Sequence, residues 1–250
     1  MRLTVLGSGT GIPSALRGGP GYLVRSDEMA VVLDLGMGTL AKLQGLGVTL
    51  EELDAVLISH LHPDHIAELV SLLFALKNPL VLREKPLVFF GCRGLGRTID
   101  KLQRVHGDWI RPETFALDVQ ELGHAEVACG DLEIGTVPVD HTDHSIGFRL
   151  KGGDGKIVAY SGDTDFCDSL VELIRGATIA VMECSFPDEQ KCPGHLTPSE
   201  VGRAAASGGT GQVILSHLYP ACEGVDLIAQ CRRTYDGPVT VARDLLTVEI

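Results

Sequence analysis

The stretch Ser59-His60-Leu61-His62-Pro63-Asp64-His65 constrains this chain more than any other part of it. Three histidines and one aspartate fall within six residues, directly after the apolar run Ala55-Val56-Leu57-Ile58. Imidazole nitrogens and carboxylate oxygens are the ligands that zinc and similar divalent ions take. His60 and His62 stand two residues apart, so an extended segment points both the same way. Asp64 and His65 follow as the chain turns into a helix at Ile66, where they can face a second position close by.

The remaining histidines and acids repeat one arrangement. Strand Leu132–Val139 runs into Asp140-His141, and strand Ile157–Ser161 into Gly162-Asp163-Thr164. Strand Ile179–Met182 runs into Glu183, and Gln212–Ser216 into His217. Open α/β sheets gather their ligand-binding groups past the carboxyl ends of the strands. Taken singly, each has a plainer but less favoured reading: His141 as a surface histidine, Asp163 as a turn residue and His217 as a capped core histidine. Together with the His60 loop they imply one shared site.

Short runs rich in Val, Ile and Leu predict strands at Leu3–Leu6, Gly21–Val24, Val31–Leu35, Ala55–Ile58 and Leu87–Phe90. Ile66–Leu76 predicts a helix, because its apolar residues follow the 3.6-residue period, and Leu95–Val105 predicts another. Between 115 and 160 several strands with tight turns are expected, including a hairpin at Lys151-Gly152-Gly153-Asp154-Gly155-Lys156. Helices near 167–175, 198–207 and 225–234 then alternate with strands at 177–183, 212–216 and 238–242. No internal repeat, low-complexity segment or linker is evident, so one α/β domain over residues 1–250 is expected. The least patterned stretch, 105–126, reads as a mobile flap or as an ordinary surface connection.

Composition narrows the function classes. With 44% hydrophobic and 22% charged residues, global disorder is excluded. Lys and Arg total 21 against 33 Asp and Glu, a net charge of −12, which weighs against coating a duplex or a membrane surface. Arg83, Arg93, Arg97, Lys101 and Arg104 are the only local basic cluster, and a solvated helix face is the plainer reading of it. The seven cysteines form no C-x-x-C pair and predict reduced thiols in a cytoplasmic protein. Cys184 and Cys192 flank candidate site residues without a pattern for a thiol nucleophile. Met1–Leu6 enters a strand directly, so no signal peptide is expected, and no apolar run reaches the roughly 18 residues that span a bilayer. Gly7-Ser8-Gly9-Thr10-Gly11 matches neither G-x-G-x-x-G nor a Walker A sequence, and a turn bringing backbone close to the cluster is expected.

The arrangement resembles the metallo-β-lactamase superfamily. His60-x-His62-x-Asp64-His65 is similar to that family's signature, and His141, Asp163 and His217 follow in the order of its later metal motifs. The closest resemblance is to the ribonuclease Z-like branch, over nearly the whole chain. It is carried by Gly7-Ser8-Gly9-Thr10-Gly11-Ile12-Pro13 with Arg17 behind it, and by His141-Thr142-Asp143-His144-Ser145-Ile146-Gly147-Phe148-Arg149. Ser161-Gly162-Asp163-Thr164, Glu183-Cys184-Ser185-Phe186 and His195-Leu196-Thr197 add to it. The resemblance implies a four-layer αββα sandwich of two mixed β-sheets flanked by helices. It implies two divalent metal ions, zinc first and manganese as the alternative. His60, His62, His141 and Asp163 would hold one ion, and Asp64, His65, Asp163 and His217 the other, with Asp163 bridging. Asp34 resembles the family's first-motif aspartate and would support the His60 loop from beneath.

The resemblance also implies in-line attack of a metal-bound hydroxide on a phosphodiester. Asp64 would orient the nucleophile and accept its proton, while His195, held by Glu183, would protonate the leaving oxygen or stabilise its charge. Two departures bear on the substrate. Ribonuclease Z carries a long arm between its third and fourth motifs, whereas Leu150 to Tyr160 here is a short hairpin. Its last motif has an Arg-Tyr shortly after the histidine, whereas His217-Leu218-Tyr219-Pro220 stands here. The expectation is therefore a hydrolase of small or cyclic phosphodiesters, with nucleic acid disfavoured as a partner, no membrane, and a homodimer left open. The alternatives are a ribonuclease Z-type tRNA 3′-processing endonuclease, a thioester or lactone hydrolase, and a non-catalytic metal-binding protein. His106, His124 and His144 have no assigned role, although His144 lies near enough to His141 to suggest a supporting one.

Overall fold

A computed structural model describes all residues, 1–250. The first half of the chain runs β1 (Arg2–Gly7), β2 (Gly21–Arg25), β3 (Ala30–Leu33), α1 (Thr39–Gly45), β4 (Ala55–Ile58), α2 (Leu69–Leu76), β5 (Leu87–Gly91), α3 (Leu95–His106) and β6 (Leu117–Glu121). The second runs β7 (Ala125–Cys129), β8 (Leu132–Pro138), β9 (Ile146–Gly152), β10 (Ile157–Tyr160), α4 (Asp168–Leu173), β11 (Ile179–Glu183), α5 (Pro198–Gly208), β12 (Gln212–Ser216), α6 (Leu227–Cys231), β13 (Val239–Val241) and β14 (Thr247–Glu249). They build two seven-stranded sheets, ordered β14-β1-β2-β3-β4-β5-β6 and β13-β12-β11-β10-β9-β8-β7. In the first, β14 through β3 pair antiparallel and β3 through β6 parallel. The second repeats this, antiparallel from β7 to β10 and parallel from β10 to β13. The repeat is one of topology alone, which is why no repeated residue pattern exposes it.

The sheets pack face to face between two layers of helices. Leu3, Val5, Val24, Leu33 and Leu57 of the first sheet meet Ile134, Phe148, Leu150, Val158 and Val181 of the second in a central core. The alternate residues Leu23, Val32, Val56 and Ile58 turn outward onto Leu43, Leu69, Leu72 and Leu95. On the far side Ala159, Ala180, Met182, Val213 and Leu215 meet Leu170, Val201, Ala204 and Leu227. Both faces of the inner strands are therefore buried, so they read as continuous apolar runs rather than alternating ones. This is the expected four-layer αββα sandwich. No helix is long and apolar enough to cross a membrane.

Several local readings are corrected. Regular helix begins at Leu69 rather than Ile66, because the preceding turn is held elsewhere. The Leu35 amide donates to the His65 carbonyl at 2.7 Å, and the Glu68 amide to the Leu35 carbonyl at 2.9 Å. Residues 105–126 are not a flap: they hold the end of α3, a short 3₁₀ turn at Gly107–Ile110, edge strand β6 and the start of β7. Arg83 does not belong to a solvated helix face. It is buried, and its guanidinium donates to the carbonyls of Leu50, Glu51 and Pro86. Strand β14, paired antiparallel with β1, has no counterpart in the sequence reading.

Candidate metal centre

The chain leaves β4 at Ile58 and crosses the edge of the sandwich as the His60 loop. Asp34, just past β3, fixes that loop from below. Its carboxylate accepts the Ser59 amide at 2.8 Å, the Ser59 hydroxyl at 2.7 Å, the His65 Nδ1–H at 2.7 Å and the Tyr160 hydroxyl at 2.6 Å. Asp34 sits at φ 55 and His217 at φ 54, left-handed conformations that non-glycine residues seldom adopt. Such outliers cluster where the surroundings impose a functional geometry.

Four imidazoles are anchored through Nδ1, which leaves Nε2 with a lone pair. Because the Ser59 hydroxyl donates to Asp34, it accepts from His60 Nδ1 at 3.1 Å. His65 donates to Asp34, and His141 Nδ1 donates to the Gly194 carbonyl at 2.8 Å. Ser185 donates to Glu183 at 2.7 Å and so accepts from His217 Nδ1 at 3.1 Å. His62 is exposed, with Nδ1 3.1 Å from His141 Nε2.

All of these rings converge on Asp163, and its two oxygens face different neighbours. Oδ2 lies 3.7 Å from His60 Nε2 and 3.8 Å from His141 Nε2. Oδ1 lies 3.2 Å from His65 Nε2 and 3.4 Å from His217 Nε2. Asp64 Oδ2 closes the second group, 3.5 Å from His217 Nε2 and 3.9 Å from His65 Nε2. The Nε2 atoms of His60, His65 and His217 and the Oδ1 of Asp163 are buried without a hydrogen-bond partner. Buried polar atoms are rarely left so, and a set of donors aimed at a metal ion is one of the few explanations. The donor atoms of His60, His62, His141 and Asp163 lie within 4.8 Å of one another, as do those of Asp64, His65 and His217. The arrangement can hold divalent metal. A third grouping, Asp163, His195 and His217, is equally close, so distance alone does not separate His195 from the ligand set.

Protons respond to the same field. Burial, followed by repulsion from His65, holds the His60 pKa well below the ordinary histidine value, and burial with His141 lowers that of His62. Burial opposes charge on His65 too, but Asp163 and Asp34 outweigh it and hold its pKa well above the ordinary value. The carboxyls of Asp163 and Asp64 are held low by His217 and His65 despite burial.

His195 stands beside the cluster in front of the capping box that opens α5, where Thr197 and Glu200 cap each other's backbone and fix the chain. Its Nδ1 donates to Glu183 Oε1 at 2.9 Å. Burial disfavours the charged ring, yet Glu183 outweighs burial and raises the His195 pKa above the ordinary value. Ser185 links Glu183, His195 and His217 through one hydroxyl. Gly194, at φ 83, supplies the carbonyl for His141, and a Cβ there would lie 3.4 Å from His141 Nδ1. Sequence reasoning missed Ser59, Tyr160, Ser185 and Gly194 as supports, because the groups they hold lie far away in the chain: Gly194 serves His141, Tyr160 and Ser59 serve Asp34, and Ser185 serves His217. Gly11 of the glycine-rich turn packs on Asp64, where a Cβ would stand 3.3 Å from the Asp64 Cβ. His144 does not support the cluster: it is exposed and turns Nδ1 to the Asp143 carbonyl at 2.7 Å. His106 and His124 are likewise exposed.

Residues 31–218 match the family described as Beta-lactamase superfamily domain. Ribonuclease Z of Mycobacterium bovis is 30% identical over 280 residues, covering 100% of this chain and 98% of its own. An uncharacterized protein of Mycobacterium tuberculosis is 31% identical over 243 residues, covering 96% of this chain and 88% of its own. Among solved structures, the metallo-beta-lactamase fold protein YhfI from Bacillus subtilis superposes with a TM-score of 0.86 at 27% identity, covering 100% and 98% of the two chains. The short form of human tRNase Z gives 0.82 at 21% identity with 100% and 99% coverage. A diphosphatase from the PhnP family gives 0.76 at 21% identity with 100% and 97% coverage. The last two show the fold alone. The matched sequence, the two-sheet sandwich and the histidine–aspartate cluster together establish that this chain belongs to the metallo-β-lactamase superfamily of hydrolases, in its ribonuclease Z-like branch.

Proposed function

We propose that the chain is a dinuclear-metal phosphodiesterase acting on small or cyclic phosphodiesters. The observation that carries this reading is the pair of donor groups facing opposite oxygens of Asp163, with orphaned Nε2 atoms on both sides. His60, His62, His141 and Asp163 would hold one ion, and Asp64, His65, Asp163 and His217 the other. Nitrogen and carboxylate donors suit zinc, with manganese as the alternative. Two such ions supply Lewis acidity and lower the pKa of water at the site.

The chain's own residues do the rest. Asp64, half-buried and ionised, orients the attacking water and accepts its proton. His195 keeps Nδ1 on Glu183, so Nε2 is free to deliver a proton to the leaving oxygen. Its raised pKa leaves more of the ring protonated near neutrality, which suits an acid. Glu183 positions His195 and, through Ser185, His217.

A small substrate follows from what surrounds the site. Only the turn at residues 153–156 separates β9 from β10, where ribonuclease Z would carry its arm. The net charge of −12 disfavours a polyanion at long range. The relatives named ribonuclease Z support a phosphodiester as the bond cleaved, and they keep tRNA 3′ processing as the second reading. A hydrolysis screen decides between them, using bis(p-nitrophenyl) phosphate, cyclic nucleotides, a lactone, a thioester and a precursor tRNA, with and without zinc or manganese. Turnover of small diesters that chelator abolishes and added metal restores is expected. Efficient cleavage of the precursor tRNA, poorly competed by small diesters, would reverse the order of the two readings.

A further inference from the structure

Beside the cluster, on the Asp64 side, lies a cavity of about 520 Å³ that the mechanism above does not use. That volume falls within the usual range for small-molecule sites, roughly 300–1,000 Å³. Its wall is made by Ile12, Pro13, Met37, Pro63 and Ala67, with Asp64 at the end that meets the cluster. Ile12 is 48% exposed and Met37 64% exposed, an unusual state for two large apolar side chains facing one cavity. Glycines shape the floor: a Cβ at Gly19 would stand 2.6 Å from the Met37 amide nitrogen.

The charge pattern matters as much as the shape. Arg17 is the one cation lining the cavity, and it is engaged. Its Nε donates to Glu223 at 3.0 Å, and its Nη1 donates to the Ser8 hydroxyl at 2.9 Å and the Ala242 carbonyl at 2.6 Å. The nearby Lys42 is paired with Asp244, which also accepts the amides of Ser8 and Gly18. Both cations near the cavity are therefore paired with carboxylates, and Asp64 adds a negative charge to its lining. His195, the proton donor, does not line this cavity; it packs against His141, Phe186, His217 and Tyr219. A leaving group protonated by His195 lies outside this cavity, and in an acyclic diester the retained ester oxygen, equatorial to the line of attack, can carry its substituent into it.

We propose that this cavity binds the retained arm of an acyclic phosphodiester, and that the arm is an uncharged, largely apolar organic group. The proposal rests on the phosphodiesterase reading and deepens it into a specificity: neutral arms are favoured over arms that carry a further phosphate or carboxylate. Ile12 and Met37 act as specificity-determining residues and take no part in the chemistry.

Equilibrium binding to the zinc-loaded protein tests this by calorimetry, with the monoesters that would remain after cleavage as probes. Phenyl phosphate is expected to bind about tenfold more tightly than methyl phosphate or 4-carboxyphenyl phosphate, the scale of discrimination available to an apolar pocket. The Ile12→Ser/Met37→Ser double variant should bring the three affinities within about twofold of one another, leaving zinc content and methyl phosphate binding unchanged. Ala67→Phe, which fills the cavity, should weaken phenyl phosphate alone. Equal affinities in the parent protein, or a preference that survives in the double variant, would overturn the proposal. Absence of any diester hydrolysis in the parallel screen would instead remove the phosphodiesterase reading, a failure distinguishable from the first because binding and turnover are read separately.

Discussion

Two buried carboxylates lie beneath the cluster, one from each sheet, and they hold different things. Asp34 accepts from Ser59, His65 and Tyr160, so it fixes the metal-facing loop and ties that loop to β10 of the opposite sheet. Glu183 accepts the Thr164 amide at 2.9 Å, the Ser185 hydroxyl at 2.7 Å, His195 Nδ1 at 2.9 Å and the Leu196 amide at 3.1 Å. Every one of those contacts lies in the second half of the chain, and the one ring that Glu183 holds directly is His195. The same chemical group thus places donor atoms on one side of the sandwich and the proposed proton donor on the other. If the roles are divided in this way, metal affinity and turnover should separate under mutation.

The sharpest break would come from His195→Ala. Turnover should fall by roughly 10²–10⁴, the usual cost of lost acid assistance, with metal content unchanged in elemental analysis. Loss of metal in that variant would place His195 among the ligands and erase the contrast. Asp34→Ala should do the reverse: metal affinity should weaken by roughly 10–100-fold in chelator competition, with kcat recovering at saturating metal. Ser185→Ala sharpens the comparison because Ser185 touches Glu183, His195 and His217 at once; both readouts should move, each by about tenfold or less. The smallest effect is expected of Tyr160→Phe. Asp34 keeps its other donors there, so stability should drop by about 0.5–1.5 kcal/mol in urea unfolding while activity holds.

Much of this is legible in the chain, for physical reasons that also mark where legibility ends. The inner strands announce themselves because both faces are buried, as in Ala55-Val56-Leu57-Ile58. The His60 loop is legible because its ligand types are adjacent in sequence. Asp163 and His217 are legible as residues past strand ends, but nothing local shows that one aspartate turns its two oxygens to different partners. Short β14 is missed because its partner β1 lies at the other end of the chain, as in Thr4 with Thr247. The Nδ1 partners of His141 and His217 are missed for the same reason. Gly194 and Ser185 reach them only after distant elements have packed. Arg83 misleads because a charged residue beside a basic helix looks solvated, whereas three backbone carbonyls have drawn it inside.

One consequence follows from the donor set. The atoms that face one another in the cluster are nitrogens and oxygens, while all seven cysteines lie outside it and five of them are buried. Thiolates climb an oxidation ladder that carboxylates and imidazoles do not share. A centre built this way should keep its ion in peroxide at exposures that strip zinc from cysteine-ligated sites. Oxidation of exposed Met37 at the rim of the cavity should weaken affinity for an apolar substituent while leaving the metal donors intact.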